Sequence, residues 1–88
     1  MNKDGLTIDE YGTKRWYLNG KFHRTDGPGC EYHNGNKYWY VNDKLHRTDG
    51  PAIEYHNGNK YWFLNGISLS HEEYLKTNRK NKLELLIL

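Results

Sequence analysis

The chain has 88 residues, 13 Lys and Arg against 11 Asp and Glu, five His and one Cys. Its length fits one domain, residues 1–88, with a thin core that leaves little room for a large enclosed reaction chamber, because short chains bury a smaller share of their surface. The near balance of charge lacks the excess of one sign that an electrostatic nucleic-acid binder carries, and the lone Cys30 can form no internal disulfide, which fits a reducing compartment.

The first residues, MNKDGLTIDEYG, contain no apolar run of the kind a signal peptide carries. No stretch approaches the roughly 20 apolar residues that span a bilayer, so the reading is a cytoplasmic, non-membrane protein. Eight Tyr, three Trp and two Phe in so polar a chain argue for a folded state, since disordered chains are poor in aromatics.

From residue 6 onward a period of 23 residues dominates. Trp16, Trp39 and Trp62 obey it, as do Gly12, Gly35 and Gly58, then Lys14, Lys37 and Lys60, then Asn19, Asn42 and Asn65. The string HRTDGP at residues 23–28 returns at residues 46–51, and LSHEEY at residues 69–74 cuts the third copy short. Internal repeats of this kind are units that stack. Asn19-Gly20, Asn34-Gly35, Asn57-Gly58 and Asn65-Gly66 predict two-residue type I′ hairpin turns, with Asn42-Asp43 in the equivalent place. The TDGP segments interrupt strands, because Gly brings unusual dihedrals and Pro lacks a ladder donor. Helix periodicity is absent over residues 6–69, which predicts a mostly β fold, an antiparallel hairpin-repeat meander in one sheet.

With Asn57-Gly58 as a two-residue loop, Ile53 falls opposite Trp62 and Glu54 opposite Tyr61. The next turn pairs Leu64 with Ile67 and Trp62 with Leu69. Alternation along strands then gathers Trp16, Trp39, Trp62, Leu18, Val41, Leu64, Cys30 and Ile53 on one face, taken as the core. The other face holds Tyr17, Tyr38, Tyr40, Tyr61, Phe22, Phe63 and Leu45, with Arg24, Arg47, Glu31 and Glu54 among them. A slip of one residue in a turn would exchange faces.

Residues 70–88 predict a helical cap. Ser70 and Glu73 form a capping box, a helix begins at about His71, and Tyr74, Leu75 and Asn78 line its inner side. Residues 83–88, LELLIL, read equally as more helix or as a closing strand. The cap would cover the open end of the repeat stack.

The stretches WYLNGKFHRTDGP and YHNGNKYWYVNDKLH resemble MORN repeats, which share the spacing and the Trp, Asn-Gly-Lys and His grammar, over residues 6–69. HRTDGPA, with Glu and an Asn-Gly turn after it, is similar to a divergent class associated with bacteriophages and large DNA viruses. HRTDGP stands where the standard unit has a shorter His-Gly element. The resemblance implies a single-layer hairpin sheet, no catalysis, no cofactor, and use as a docking surface for proteins. For a viral chain it implies a host partner, such as a defence component, in the host cytoplasm.

His46, Arg47, Asp49 and Glu54 look like an active site until their twins are noticed: His23, Arg24, Asp26 and Glu31. Catalysis needs one asymmetric constellation converging on one point, whereas translated copies repeat along a sheet. His23, Asp26, His46, Asp49 and the three Trp therefore read as structural. HRTD lacks every companion motif of a kinase. The His spacings of 10, 13, 10 and 15, without a Cys pair, give no zinc pattern. The candidate partner surface is Tyr17, Tyr38, Tyr40, Tyr61 and Phe63 with Arg24 and Arg47, the residue types of interface hot spots, unless the C-terminal helix covers it. The alternative is a nucleotide or small phosphorylated ligand held between the Arg forks and Tyr rings. An enzyme is a third reading with no residues to name. Free edge strands invite pairing between copies, which leaves monomer and homodimer both open.

Overall fold

The computed structural model describes residues 4–87, with side chains through residue 79. In chain order the elements are β1 (Gly5–Ile8), β2 (Lys14–Leu18), β3 (Lys21–Phe22), β4 (Cys30–Glu31), β5 (Lys37–Tyr38), β6 (Tyr40–Val41), β7 (Lys44–Leu45), β8 (Ile53–Glu54), β9 (Lys60–Leu64), β10 (Ile67–Leu69) and α1 (His71–Ile87). The strands run in the order β1-β2-β4-β5-β8-β9-β10, with β3 on β2 and β6 paired to β7. Backbone bonds from Asp43 to Phe22 at 2.9 Å, Arg24 to Tyr40 at 3.0 Å and Gly66 to Leu45 at 2.8 Å join the β6–β7 hairpin to its neighbours. The fold is mostly β, an open antiparallel sheet with one C-terminal helix.

The 23-residue unit explains this layout. Residues 14–18, 37–41 and 60–64 are the long members of the sheet. Between them lie split members, β3 then β4 and β7 then β8, each interrupted by one HRTDGP loop.

The glycine turns are of two kinds. Asn19 and Gly20 have φ of 52° and 76°, Asn42 and Asp43 50° and 65°, and Asn65 and Gly66 50° and 82°. Positive φ at both centres is the type I′ geometry, and it gives the expected pairs Leu64 with Ile67 and Trp62 with Leu69. At residues 32–36 and 55–59 only the Gly is left-handed, Gly35 at 97° and Gly58 at 94°. There Gly35 N–H donates to Tyr32 O and Tyr32 N–H to Asn36 O, both at 2.9 Å. That is a type I turn ending in a bulge glycine, a three-residue loop.

The extra loop residue corrects the predicted register by one. Ile53 faces Tyr61 and Glu54 faces Lys60, and likewise Cys30 faces Tyr38 and Glu31 faces Lys37. Cys30 and Ile53 therefore belong with the tyrosines, while Glu31, Glu54, Arg24 and Arg47 join the tryptophans. Strand period two converts the slip into a change of face.

The buried apolar residues among those described are Cys30, Ala52, Ile53, Leu64 and Tyr74, so the core is thin. The capping box closes as expected. Ser70 N–H donates to Glu73 Oε1 and Glu73 N–H to Ser70 Oγ, both at 3.1 Å, and the Glu73 carboxyl lies below its ordinary range, chiefly through the Ser70 backbone bond. The backbone of residues 83–87 continues the helix; residue 88 lies outside the described residues. Tyr74 and Asn78 are buried, but Leu75 is 49% exposed, contrary to its predicted inner position. One residue beyond Tyr74 is a rotation of about 100° around the helix, which turns it outward.

Candidate functional site

On the tryptophan face each HRTDGP loop folds its Arg over the indole of its own unit. The Arg24 guanidinium carbon lies 3.9 Å from the Trp16 ring centroid, and that of Arg47 lies 3.9 Å from Trp39. Such stacking is a cation–π contact. Arg24 Nε donates to Asp26 Oδ1 at 2.9 Å and Nη1 to Pro28 O at 3.2 Å. Arg47 repeats both bonds, to Asp49 at 2.8 Å and Pro51 O at 3.1 Å. Arg47 Nη1 also reaches Glu54 at 2.7 Å, whereas Arg24 and Glu31 are 3.8 Å apart. The string itself makes this clamp. Asp two residues after Arg meets Nε, the Pro carbonyl accepts from Nη1, and glycine is needed between them, since a Cβ on Gly27 would stand 2.7 Å from Arg24 Cζ and one on Gly50 2.9 Å from Arg47 Cζ. The Asp26 carboxyl is lowered by its bond to Arg24.

The histidines serve the turns. His23 Nδ1 accepts the Asn42 amide at 3.1 Å and His46 Nδ1 accepts the Asn65 amide at 3.0 Å. In the first unit, which no HRTDGP loop precedes, Asp4 Oδ1 accepts the Asn19 amide at 2.7 Å. The Arg and Asp of one string are thus paired with each other, while its His holds a turn amide of the next unit. Each guanidinium stands between two carboxylates on an indole, so a phosphate would compete with contacts already made. Between the loops lies a groove of about 510 Å³, floored by Trp39 and Val41 and walled by residues 24–27 and 46–49.

α1 also lies on the tryptophan side. His71 stacks on Trp62 with centroids 4.2 Å apart and planes at 16°. The Tyr74 hydroxyl donates to Arg47 O at 2.7 Å and accepts from Gly50 N–H at 3.3 Å, and Asn78 Nδ2 donates to Thr48 O at 2.6 Å.

The opposite face carries a run of rings. Tyr17 meets Phe22 at 5.1 Å, Phe22 meets Tyr40 at 5.1 Å, Tyr40 meets Tyr38 at 6.5 Å, Tyr38 meets Tyr55 at 6.1 Å and Tyr55 meets Tyr61 at 5.6 Å. Tyr32 joins edge-on to Tyr38 at 5.4 Å. Cys30 and Ile53 lie buried on this face, and burial pushes the Cys30 thiol up. Tyr38 is pushed up to about 12, first by desolvation and then by the Tyr55 hydroxyl. Tyr61 and Tyr32 are the outermost rings, 45% and 39% exposed. Tyr17, Tyr38, Tyr40, Tyr61 and Phe63 therefore share one face as expected, and Arg24 and Arg47 do not. Tyr32 and Tyr55 were missed by sequence reasoning, although they recur 23 residues apart and stand two residues from Cys30 and Ile53.

No family model matches the chain, and no curated protein or solved structure matches it. Among the described residues no cluster of three His, Cys, Asp or Glu could hold a metal ion, and no helix is long and apolar enough to cross a membrane.

Proposed function

We propose that the protein is a non-enzymatic protein-binding module whose contact surface is the tyrosine and phenylalanine face. The observation that carries this reading is the seat of α1: it packs on Trp62 and the second HRTDGP loop, so no described element covers the rings from Tyr17 to Tyr61. A continuous aromatic surface of this kind matches the composition of interface hot spots and is uncommon on a monomer without a partner. The phosphorylated-ligand alternative has less support, because Arg24 and Arg47 are on the other face and already paired. The narrower reading, a viral protein that engages a host protein in the host cytoplasm, rests on the repeat resemblance.

The test is co-purification from host extract with a Tyr32→Lys, Tyr61→Lys variant, which alters the two outermost rings, beside a Lys14→Ala, Lys37→Ala control on the tryptophan face. Recovery of one partner by the parent and the control, and its loss by about tenfold or more in the tyrosine variant, is the expected result. Equal recovery by all three would remove this face from the account.

A further inference from the structure

The two HRTDGP loops are related by the 23-residue translation, yet they have different neighbours. The second loop offers Arg47 O, Gly50 N–H and Thr48 O, and α1 satisfies all three with Tyr74 and Asn78. The translated groups on the first loop are Arg24 O, Gly27 N–H and Thr25 O. Among the described residues these make no hydrogen bond, and they border the groove of about 510 Å³ over Trp39, a volume within the range of small binding sites.

The indoles are matched as well. His71 covers Trp62 where Arg47 covers Trp39, so an occupant of the groove need not supply a ring-capping group. After Ser70 the chain turns into a helix and fills its own copy of the site. After Arg47 it continues through Pro51 into β8, and a groove remains between the two loops. We infer that the groove over Trp39 is a second docking site, for a partner-protein helix that presents a Tyr and, four residues later, an Asn or Gln. The Tyr hydroxyl would donate to Arg24 O and accept from Gly27 N–H, and the amide would donate to Thr25 O. Residues four apart lie on one helix face, as Tyr74 and Asn78 do. This site is separate from the tyrosine face, and either can fail without the other.

The probe is a peptide of residues 70–79, SHEEYLKTNR, held helical by a lactam between the positions of Glu72 and Lys76, which already form an outward i,i+4 pair at 3.3 Å. It is titrated into isotope-labelled full-length protein. Saturable shifts at the Thr25, Asp26 and Gly27 amides and the Trp39 indole are expected, whether or not the second loop responds. A probe with Tyr74→Phe should bind about fivefold more weakly, as loss of one hydroxyl's hydrogen bonds implies. Shifts confined to Thr48 through Gly50, absence of saturable shifts, or equal binding of the two probes would overturn the inference. So would concentration-dependent shifts at Thr25 through Gly27 without probe, accompanied by dimer formation, which would make a second copy the occupant.

Discussion

Residues 23–28 and 46–51 have the same sequence and build the same clamp, Arg on indole, Nε on Asp, Nη1 on the Pro carbonyl. Both border the groove between them, and only the second also bonds to α1. The second is also tighter, since Arg47 reaches Glu54 at 2.7 Å while Arg24 and Glu31 are 3.8 Å apart. The recurring residues therefore account for the unit, and the presence or absence of α1 decides which backbone groups of each copy are hydrogen-bonded. His46 and Asp49 make the same structural bonds as their twins His23 and Asp26.

Four tests would break or sharpen this comparison. The largest effect should come from Tyr74→Ala, which empties a buried site and strands Arg47 O and Gly50 N–H. Chemical denaturation should show a loss of about 3 kcal/mol, and hydrogen exchange should show deprotection of Gly50 with Gly27 unchanged. Equal deprotection of both loops would contradict the stated role of α1. Next, Gly50→Ala should cost about 2 kcal/mol and Gly27→Ala about 1, because each Cβ meets a guanidinium and only the second loop is held from above. The reverse order in melts would deny that difference. Arg47→Lys keeps the charge but loses the planar fork, at about 1 kcal/mol, and Arg24→Lys should cost about half as much, given its longer carboxylate pair.

The smallest effect is electrostatic. Arg24 holds the Asp26 carboxyl below its ordinary value of 3.8, so the folded state binds that proton less readily than the unfolded chain. Its contribution to stability is present above the ordinary value and is lost as pH falls through the lowered one. NMR titration should give Asp26 a midpoint below 3.8, and Arg24→Gln should return it toward that value.

Much of this arrangement was legible in the sequence. The 23-residue repeat, the type I′ turns at Asn19, Asn42 and Asn65, the Leu64 to Ile67 register and the Ser70 capping box all come from local rules that tertiary contacts did not override. The faces were misassigned for a specific reason. Asn34-Gly35 and Asn57-Gly58 carry the same dipeptide as two of the type I′ turns but adopt a three-residue loop, which moved Cys30, Ile53 and both Arg–Glu pairs to the opposite sides. The signal was present in the first unit, where the same frame reads Tyr11-Gly12. A type I′ turn needs positive φ at both centres, a conformation costly for Tyr. There too Gly12 N–H donates to Asp9 O at 3.1 Å and Gly12 alone is left-handed, with φ of 87°. The seat of α1 was not legible, because Tyr74 and Asn78 bond to backbone groups of a distant loop, and no local pattern encodes such partners.

The seat of α1 also decides which aromatic face is free, so contacts of the Tyr74 ring measured by nuclear Overhauser effects in solution are the most direct test. Cross-peaks from Tyr74 to Trp62 and to the Gly50 amide, with none to Phe63 or Tyr61, are the predicted result. Cross-peaks to Phe63 or Tyr61 would place the helix over the tyrosine surface and contradict the account.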